Sequence, residues 1–227
     1  MTDIIRNIEI IKERVDASAK KTGRTKSDIA IVAVSKTVGI DAVGQAEKAG
    51  IRDFGENRVQ EYLKKREEFS ENVNWHIIGP LQSNKVKYII NGIYLLQSLD
   101  RLSLAREIEK QCEKNGTELS ALVQLNIGKE PTKSGIYEEN LESFLKELSV
   151  MRRIRIKGLM AIPPMALEAD DNRPYFVKMR KLFEKFRKVY TSFTYLSMGM
   201  SGDFEAAIEE GSNMVRIGTA VFGARSN

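Results

Sequence analysis

Short apolar runs alternate with longer amphipathic segments along the whole chain, and this alternation restricts the possible folds. Eight runs of four to eight residues are rich in Val, Ile, Leu or aromatic residues, which is typical of buried strands. They cover residues 30–35, 53–56, 75–79, 94–98, 121–127, 156–162, 194–198 and 215–222. Segments with helical periodicity separate them, at residues 41–49, 58–69, 84–90, 101–115, 138–150, 173–189 and 204–210. Strict alternation of strand and helix indicates an α/β fold with a parallel sheet.

The count of eight strands favours a closed (β/α)8 TIM barrel, because open parallel sheets usually have fewer strands. The length of 227 residues fits one such domain over residues 1–227, since these barrels take about 200–250 residues. We predict no helix after strand eight. An extra helix precedes the first strand, with Ile4, Ile8, Ile11 and Val15 on one stripe. We expect this leading helix to cover the gap that the absent last helix leaves.

Composition argues against several classes of protein. No apolar run approaches the roughly 20 residues that cross a bilayer, and the start of the chain does not resemble a signal peptide. The net charge is +5, but the basic residues are interleaved with 31 acidic ones, so we expect no nucleic-acid partner. We therefore predict a cytoplasmic protein with no membrane partner.

The single cysteine and the single histidine limit the chemistry of a site. Cys112 lies inside a helical pattern and excludes an internal disulfide. His76 alone leaves no room for a multi-histidine metal site, and we expect no metal. The simplest interpretation of His76 is a hydrogen-bonded histidine in the core or at the rim, rather than a catalytic group.

Two adjoining segments near the end of the chain suggest a phosphate site. The loops after the last two strands of such barrels often bind phosphate. Ser201, Gly202 and Asp203 come just before the predicted helix 204–210, whose first N–H groups are unpaired. Gly218 and Thr219 offer a close backbone approach and a hydroxyl next to it. Helix capping and packing glycines are the alternative for either segment alone; for the two together, phosphate binding is the better hypothesis.

Lys36 follows a fully apolar strand and stands at the predicted mouth of the barrel. A lysine amine is a nucleophile only when neutral, and burial or a nearby cation such as Arg216 favours that state. Strands one and eight adjoin in a closed barrel, so this amine and the phosphate site would be neighbours. An exposed strand-end lysine is the alternative. The combination predicts a phosphorylated aldehyde condensed on Lys36.

At this point the sequence resembles a known family, the pyridoxal phosphate homeostasis proteins, also called proline synthase co-transcribed homologues. The stretches that carry the resemblance are AVSKT at 33–37, FGEN at 54–57, WHIIG at 75–79, LQSNK at 81–85, KSG at 133–135, GLM at 158–160, LSMGMS at 196–201 with Asp203, and Gly211-Ser212 with VRIGTA at 215–220. Together they span nearly the whole chain in order. One departure is Arg58, where many members have tyrosine.

The resemblance implies a barrel similar to the N-terminal domain of alanine racemase, with pyridoxal 5′-phosphate as cofactor. It further implies a Schiff base on Lys36, with Arg216 facing the pyridine nitrogen. The remaining cofactor-binding residues by resemblance are Ser201, Gly218 and Thr219 at the phosphate and Asn57 and Met200 beside the ring.

The implied function is homeostasis of the cofactor rather than catalysis with it. A cation at the ring nitrogen weakens the ring as an electron sink. Racemisation also needs a second acid–base group, which alanine racemases take from a second domain that this sequence does not predict. We therefore expect a monomeric carrier, not an enzyme, that buffers pyridoxal phosphate and delivers it to client enzymes. The alternatives are a racemase-like enzyme that uses the cofactor and an aldolase-like barrel whose Lys36 condenses with a sugar phosphate.

Overall fold

The computed structural model describes residues 3–69 and 72–224, and within them eight parallel strands close into a barrel. Each strand pairs with the next along the chain, and the last pairs with the first. The strands are β1 (Ala30–Val34), β2 (Asp53–Glu56), β3 (Asn74–Ile77), β4 (Leu95–Leu99), β5 (Leu119–Leu125), β6 (Ile154–Ala161), β7 (Tyr195–Ser197) and β8 (Met214–Ile217). The predicted barrel is therefore confirmed.

Helices lie outside the barrel and connect the strands. They are α1 (Ile4–Lys20), α2 (Ile40–Lys48), α3 (Val59–Arg66), α4 (Leu102–Asn115), α5 (Leu141–Ser149), α6 (Arg173–Arg187), α7 (Phe204–Glu209) and α8 (Thr219–Phe222). A 3-10 helix, Ser83–Tyr88, stands between β3 and β4 where the sequence predicted an α-helix. None of the helices in the described ranges is long and apolar enough to cross a membrane.

Side-chain alternation along the strands divides the core into two clusters. The larger cluster lies between the strands and the helices, and includes Phe54 and Trp75. A smaller one fills the inside of the barrel, with Val32, Leu122 and Met214 among its members. Successive residues of a strand point to opposite faces of the sheet, which explains why consecutive residues belong to different clusters.

Helix α1 lies where the sequence expectation placed it. It packs against α7, α8 and α2, beside the strands that close the barrel. Its buried residues are Ile4, Ile8, Ile11, Val15, Ser18 and Ala19, which include the whole predicted stripe. The apolar face of α1 therefore covers the region that a full-length eighth outer helix would otherwise cover.

The end of the predicted eighth strand is different from the expectation. Strand β8 stops at Ile217, and Thr219–Phe222 form the one-turn helix α8. The prediction of no helix after strand eight was therefore wrong in this detail. A short apolar run fits a strand or a buried helical turn equally well, so its periodicity does not distinguish the two.

Candidate functional site

Two neighbouring cavities lie at the C-terminal end of the barrel, and Lys36 lines both of them. The first, of about 300 Å³, is also lined by Asn57, Met200 and Arg216. The second, of about 500 Å³, is lined by Gly218 and Thr219. These volumes are in the range of ligand sites for small molecules. Six of the seven predicted cofactor-binding residues thus border one composite cleft.

The seventh predicted residue, Ser201, joins the two segments proposed for phosphate. Its Oγ accepts hydrogen bonds from the backbone N–H groups of Gly218, at 3.2 Å, and of Ala220, at 3.3 Å. Thr219 between them is exposed. These hydrogen bonds hold the Ser201 hydroxyl against the turn that carries Thr219, and the two hydroxyl groups can donate to an anionic oxygen group.

A buried ion pair between Lys65 and Glu56 stabilises the backbone directly before Lys36. Lys65 Nζ lies 2.7 Å from Glu56 Oε1 and donates to the carbonyl oxygen of Ser35 at 2.6 Å. The Ser35 hydroxyl donates to the same Glu56 oxygen at 2.6 Å. Burial raises the pKa of Glu56, although Lys65 and Ser35 act in the opposite direction. This cluster fixes the end of β1 directly before Lys36.

The residue after Lys36 adopts an unusual backbone conformation. Thr37 has φ of 63°, which is rare for a β-branched residue. Its N–H donates to Glu61 Oε2 at 2.8 Å, and its hydroxyl donates to the carbonyl oxygen of Lys36 at 2.6 Å. Strained backbone of this kind persists where surrounding contacts hold it, and it is common at ligand sites.

Arg216 is a buried cation inside the barrel, with only 3% of its surface exposed. Its Nη1 donates to Ser197 Oγ at 2.5 Å and its Nη2 to the carbonyl oxygen of Ala161 at 2.9 Å. The pKa of Arg216 is lowered to about 10, because the effect of burial is larger than the opposing attraction of Asp203. The guanidinium is therefore still positively charged at neutral pH, beside the cavity that Lys36 and Asn57 line.

The loop that follows β5 also lines the first cavity, through Thr132, Lys133 and Ser134, and Lys133 brings a second amine to it. Gln124 and Asn126 donate to backbone carbonyls of this loop, at Ser134 and Lys133. Gly135 has φ of 118°, and a Cβ there would lie 2.6 Å from the backbone nitrogen of Asn126, so only glycine fits. Lys133 Nζ donates to the carbonyl oxygen of Pro163 at 2.9 Å and pairs with Glu130.

Sequence reasoning missed the supporting residues of the site. Lys65 belongs to a helix with several other charged residues, and the only signal was its place on the same stripe as the buried Val59 and Tyr62. Glu56 ends β2, but its side chain faces outward to Lys65 of α3. Ser197 was assigned only to a strand. Arg58 is exposed and precedes α3, and it does not line the cleft cavities.

The histidine and the cysteine lie away from the cleft. His76 is fully buried inside the barrel and hydrogen-bonded to Asp53 and Gln97, as expected of a core histidine. Cys112 is buried in α4, and burial raises the pKa of its thiol. No group of three or more His, Cys, Asp or Glu in residues 3–69 and 72–224 is arranged to hold a metal ion.

Comparison with known proteins identifies the family of this chain. The family described as alanine racemase, N-terminal domain, matches residues 4–226. The pyridoxal phosphate homeostasis protein of Aquifex aeolicus is 42% identical over 217 residues, 95% of each chain. That of Escherichia coli is 40% identical over 231 residues, 99% of this chain and 98% of the other. The chain belongs to the pyridoxal phosphate homeostasis protein family.

Solved structures agree with this membership. PipY of Synechococcus elongatus, with pyridoxal phosphate bound, is 32% identical, with a TM-score of 0.81 over 94% of this chain and all of that one. Alanine racemase of Clostridium difficile is 17% identical, with a TM-score of 0.79 over 99% of this chain and 60% of that one. The racemase comparison supports the fold alone, whereas PipY is a family relative whose structure contains the cofactor.

Proposed function

We propose that this protein carries pyridoxal 5′-phosphate as a Schiff base on Lys36 and takes part in homeostasis of the cofactor. The observation that carries the proposal is the position of Lys36, whose side chain borders both cavities of the cleft. One cavity also contains a buried cation, Arg216, and the other contains Gly218 and Thr219. The PLP-bound structure of the relative PipY supports the same cofactor.

The residues of the cleft fit the chemical groups of pyridoxal phosphate. An amine meets the aldehyde, and the hydroxyl and N–H donors of Ser201, Gly218 and Thr219 suit the phosphate oxygens. Arg216 would donate to the ring nitrogen, and Asn57 and Met200 would lie beside the ring. In the condensation, the neutral Lys36 amine adds to the aldehyde carbon, a C=N bond replaces C=O, and the oxygen leaves as water with the two amine protons.

The same residues favour storage over catalysis. Arg216 stays charged at neutral pH, and a cation at the ring nitrogen disfavours its protonation, which reduces the electron-withdrawing power of the ring. Among the described residues that line the cavity with Arg216, the ionisable side chains are Lys36, Lys133 and Arg216 itself. We therefore propose a monomeric cytoplasmic carrier that buffers the cofactor and releases it to client enzymes that depend on it.

The test is the visible absorption of the purified protein. After incubation with pyridoxal phosphate and removal of the unbound cofactor, the protein should stay yellow, and Lys36→Ala should abolish the protein-bound visible band, because the variant cannot form the imine that retains the cofactor. Lys36→Arg retains the charge but cannot condense, so it should also be colourless. A wild-type protein that stays colourless after incubation contradicts the proposal.

Borohydride trapping identifies both the amine and the aldehyde. Reduction should add the mass of the pyridoxyl phosphate group, and peptide mapping should find it on Lys36 rather than on Lys133, the other amine of the cleft. The added mass of a sugar phosphate would instead support the aldolase-like alternative. A label confined to Lys133 would contradict the assignment of the imine.

A further inference from the structure

Polar side chains cross the inside of the barrel next to an apolar cluster. The interior of such barrels is usually filled by branched apolar residues. Here the apolar members are Val32, Leu95, Leu122, Met160 and Met214. The polar members His76, Gln97 and Ser197 are completely buried, and Arg216 is nearly so. Burying four polar side chains in this space is costly unless each has hydrogen-bond partners.

These polar side chains form one continuous series of hydrogen bonds. Arg216 Nη1 donates to Ser197 Oγ at 2.5 Å, and the Ser197 hydroxyl donates to Gln97 Oε1 at 2.7 Å. Gln97 Nε2 donates to His76 Nδ1 at 2.9 Å. His76 Nε2 then donates to Asp53 Oδ1 at 3.0 Å. The series connects β8, β7, β4, β3 and β2 across the centre of the barrel.

All four hydrogen bonds point in the same direction. An amide nitrogen only donates, so His76 accepts through Nδ1 and holds its proton on Nε2. The series therefore begins at a guanidinium and ends at a carboxylate. Hydrogen bonds in such a series polarise one another in a medium of low dielectric. The aligned dipoles stabilise the positive charge at Arg216 and the negative charge at Asp53 together.

The two ends of the series lie in different environments. Arg216 borders the ligand cavity at the C-terminal end of the barrel. Asp53 begins β2 at the opposite end, and 20% of its side chain is exposed. Asn74 Nδ2 also donates to Asp53 Oδ1, at 3.2 Å. The carboxylate is thus partly hydrated, which makes its charge less costly than it would be if it were fully buried in the barrel.

We propose that Asp53, His76, Gln97 and Ser197 form an interior relay that positions Arg216 against the ring nitrogen of the cofactor. The inference rests on the proposed function. The bonds to Ser197 and Ala161 use two of the five N–H groups of the guanidinium and fix its plane. The relay keeps the Ser197 oxygen available as an acceptor, since its own proton is committed to Gln97. These are positioning residues, which act on the ligand through Arg216.

The test compares two ligands on a variant that interrupts the relay. Gln97→Met has similar volume but removes the hydrogen bonds to Ser197 and His76. The dissociation constant of pyridoxal phosphate should rise about tenfold, as expected for a weakened hydrogen bond to a charged group. The affinity for an analogue with carbon in place of the ring nitrogen should be unchanged, and the visible band of bound pyridoxal phosphate should shift. Leu122→Met changes another interior side chain outside the relay and should alter neither ligand.

A second variant keeps the test decisive if Gln97→Met does not fold. Asp53→Asn is isosteric and lies at the partly exposed end, and it should weaken pyridoxal phosphate in the same direction while sparing the analogue. Equal loss of both ligands in either variant, or no change in affinity and spectrum, overturns the relay. A wild-type protein that binds neither ligand contradicts the proposed function instead, so the two failures are distinguishable.

Discussion

Lys65 stabilises the site without reaching its cavities. Its ammonium group is buried against Glu56 and binds the carbonyl oxygen of Ser35, one residue before Lys36. Lys65→Met should lower the free energy of unfolding by about 3–5 kcal/mol, because Glu56 then stays buried without its counter-charge. Urea denaturation followed by circular dichroism measures this.

The adjacent lysine provides the control for that prediction. Lys64 is exposed on the same helix, so Lys64→Met should change the free energy of unfolding by less than about 0.5 kcal/mol. The double variant Glu56→Gln/Lys65→Met should recover part of the loss, since it removes both charges. Equal effects of the two single lysine variants would show that the buried pair does not stabilise the fold.

The location of a single residue at the rim of the barrel was predictable when it followed from the residue's position relative to a strand. Lys36 and Ser201 follow β1 and β7, and Arg216 lies one residue before the end of β8. In a closed parallel barrel the C-terminal ends of the strands face the same rim. The direction of Glu56 was not predictable, because a shift of one position reverses the face of a strand. The burial of Lys65 was not predicted, because a lysine on a helix is usually exposed.

At the scale of elements, the proposed phosphate site lies where the β7–α7 loop meets the turn from β8 to α8. Ser201→Ala removes the hydroxyl that accepts the N–H groups of Gly218 and Ala220. The dissociation constant of pyridoxal phosphate should rise about tenfold, while that of pyridoxal, which has no phosphate, should not change. Equilibrium dialysis measures both. Ser143→Ala on the exposed face of α5 is the matched control. An equal loss for pyridoxal would contradict the phosphate assignment.

Helix α1 provides a second prediction at this scale. Ile8 is buried between α1 and the barrel, whereas Ile5 of the same helix is 47% exposed. Ile8→Ala should therefore cost about 2–5 kcal/mol of unfolding free energy, from lost burial and the cavity left behind. Ile5→Ala should cost much less. Thermal or urea unfolding of the two variants measures these losses. Similar losses in both would mean that the buried face of α1 does not stabilise the barrel.

The sequence predicted which elements exist better than where they end. All eight strands were found, since alternation with helices marks each of them. The exception is residues 218–222, where an apolar run continues past Ile217 but the backbone turns into α8. Apolar composition describes burial in both cases. The choice of a helical turn depends on packing against α1, which is distant in sequence.

At the scale of the whole molecule, the barrel brings together residues that no local pattern connects. Asp53, His76, Gln97 and Ser197 come from four strands, and only the register of the closed sheet brings them into one series. Alternation predicts which side chains point inward, but not which inward side chains meet. The interior relay was therefore not visible in the sequence, although each of its members was.

The last prediction concerns the reactivity of the cofactor on this protein. The racemase that shares the fold is longer, and this chain covers 60% of it. Loaded with pyridoxal phosphate, this protein should exchange the Cα hydrogen of alanine for deuterium no faster than free cofactor does. The reason is that, in the proposed arrangement, Arg216 opposes protonation of the ring nitrogen and so weakens stabilisation of the Cα carbanion that exchange requires. Mass spectrometry or proton NMR in D₂O measures the exchange. Exchange above that of free cofactor, abolished by Lys36→Ala, would instead support a racemase-like enzyme, with the Lys36 amine as one of its two proton carriers.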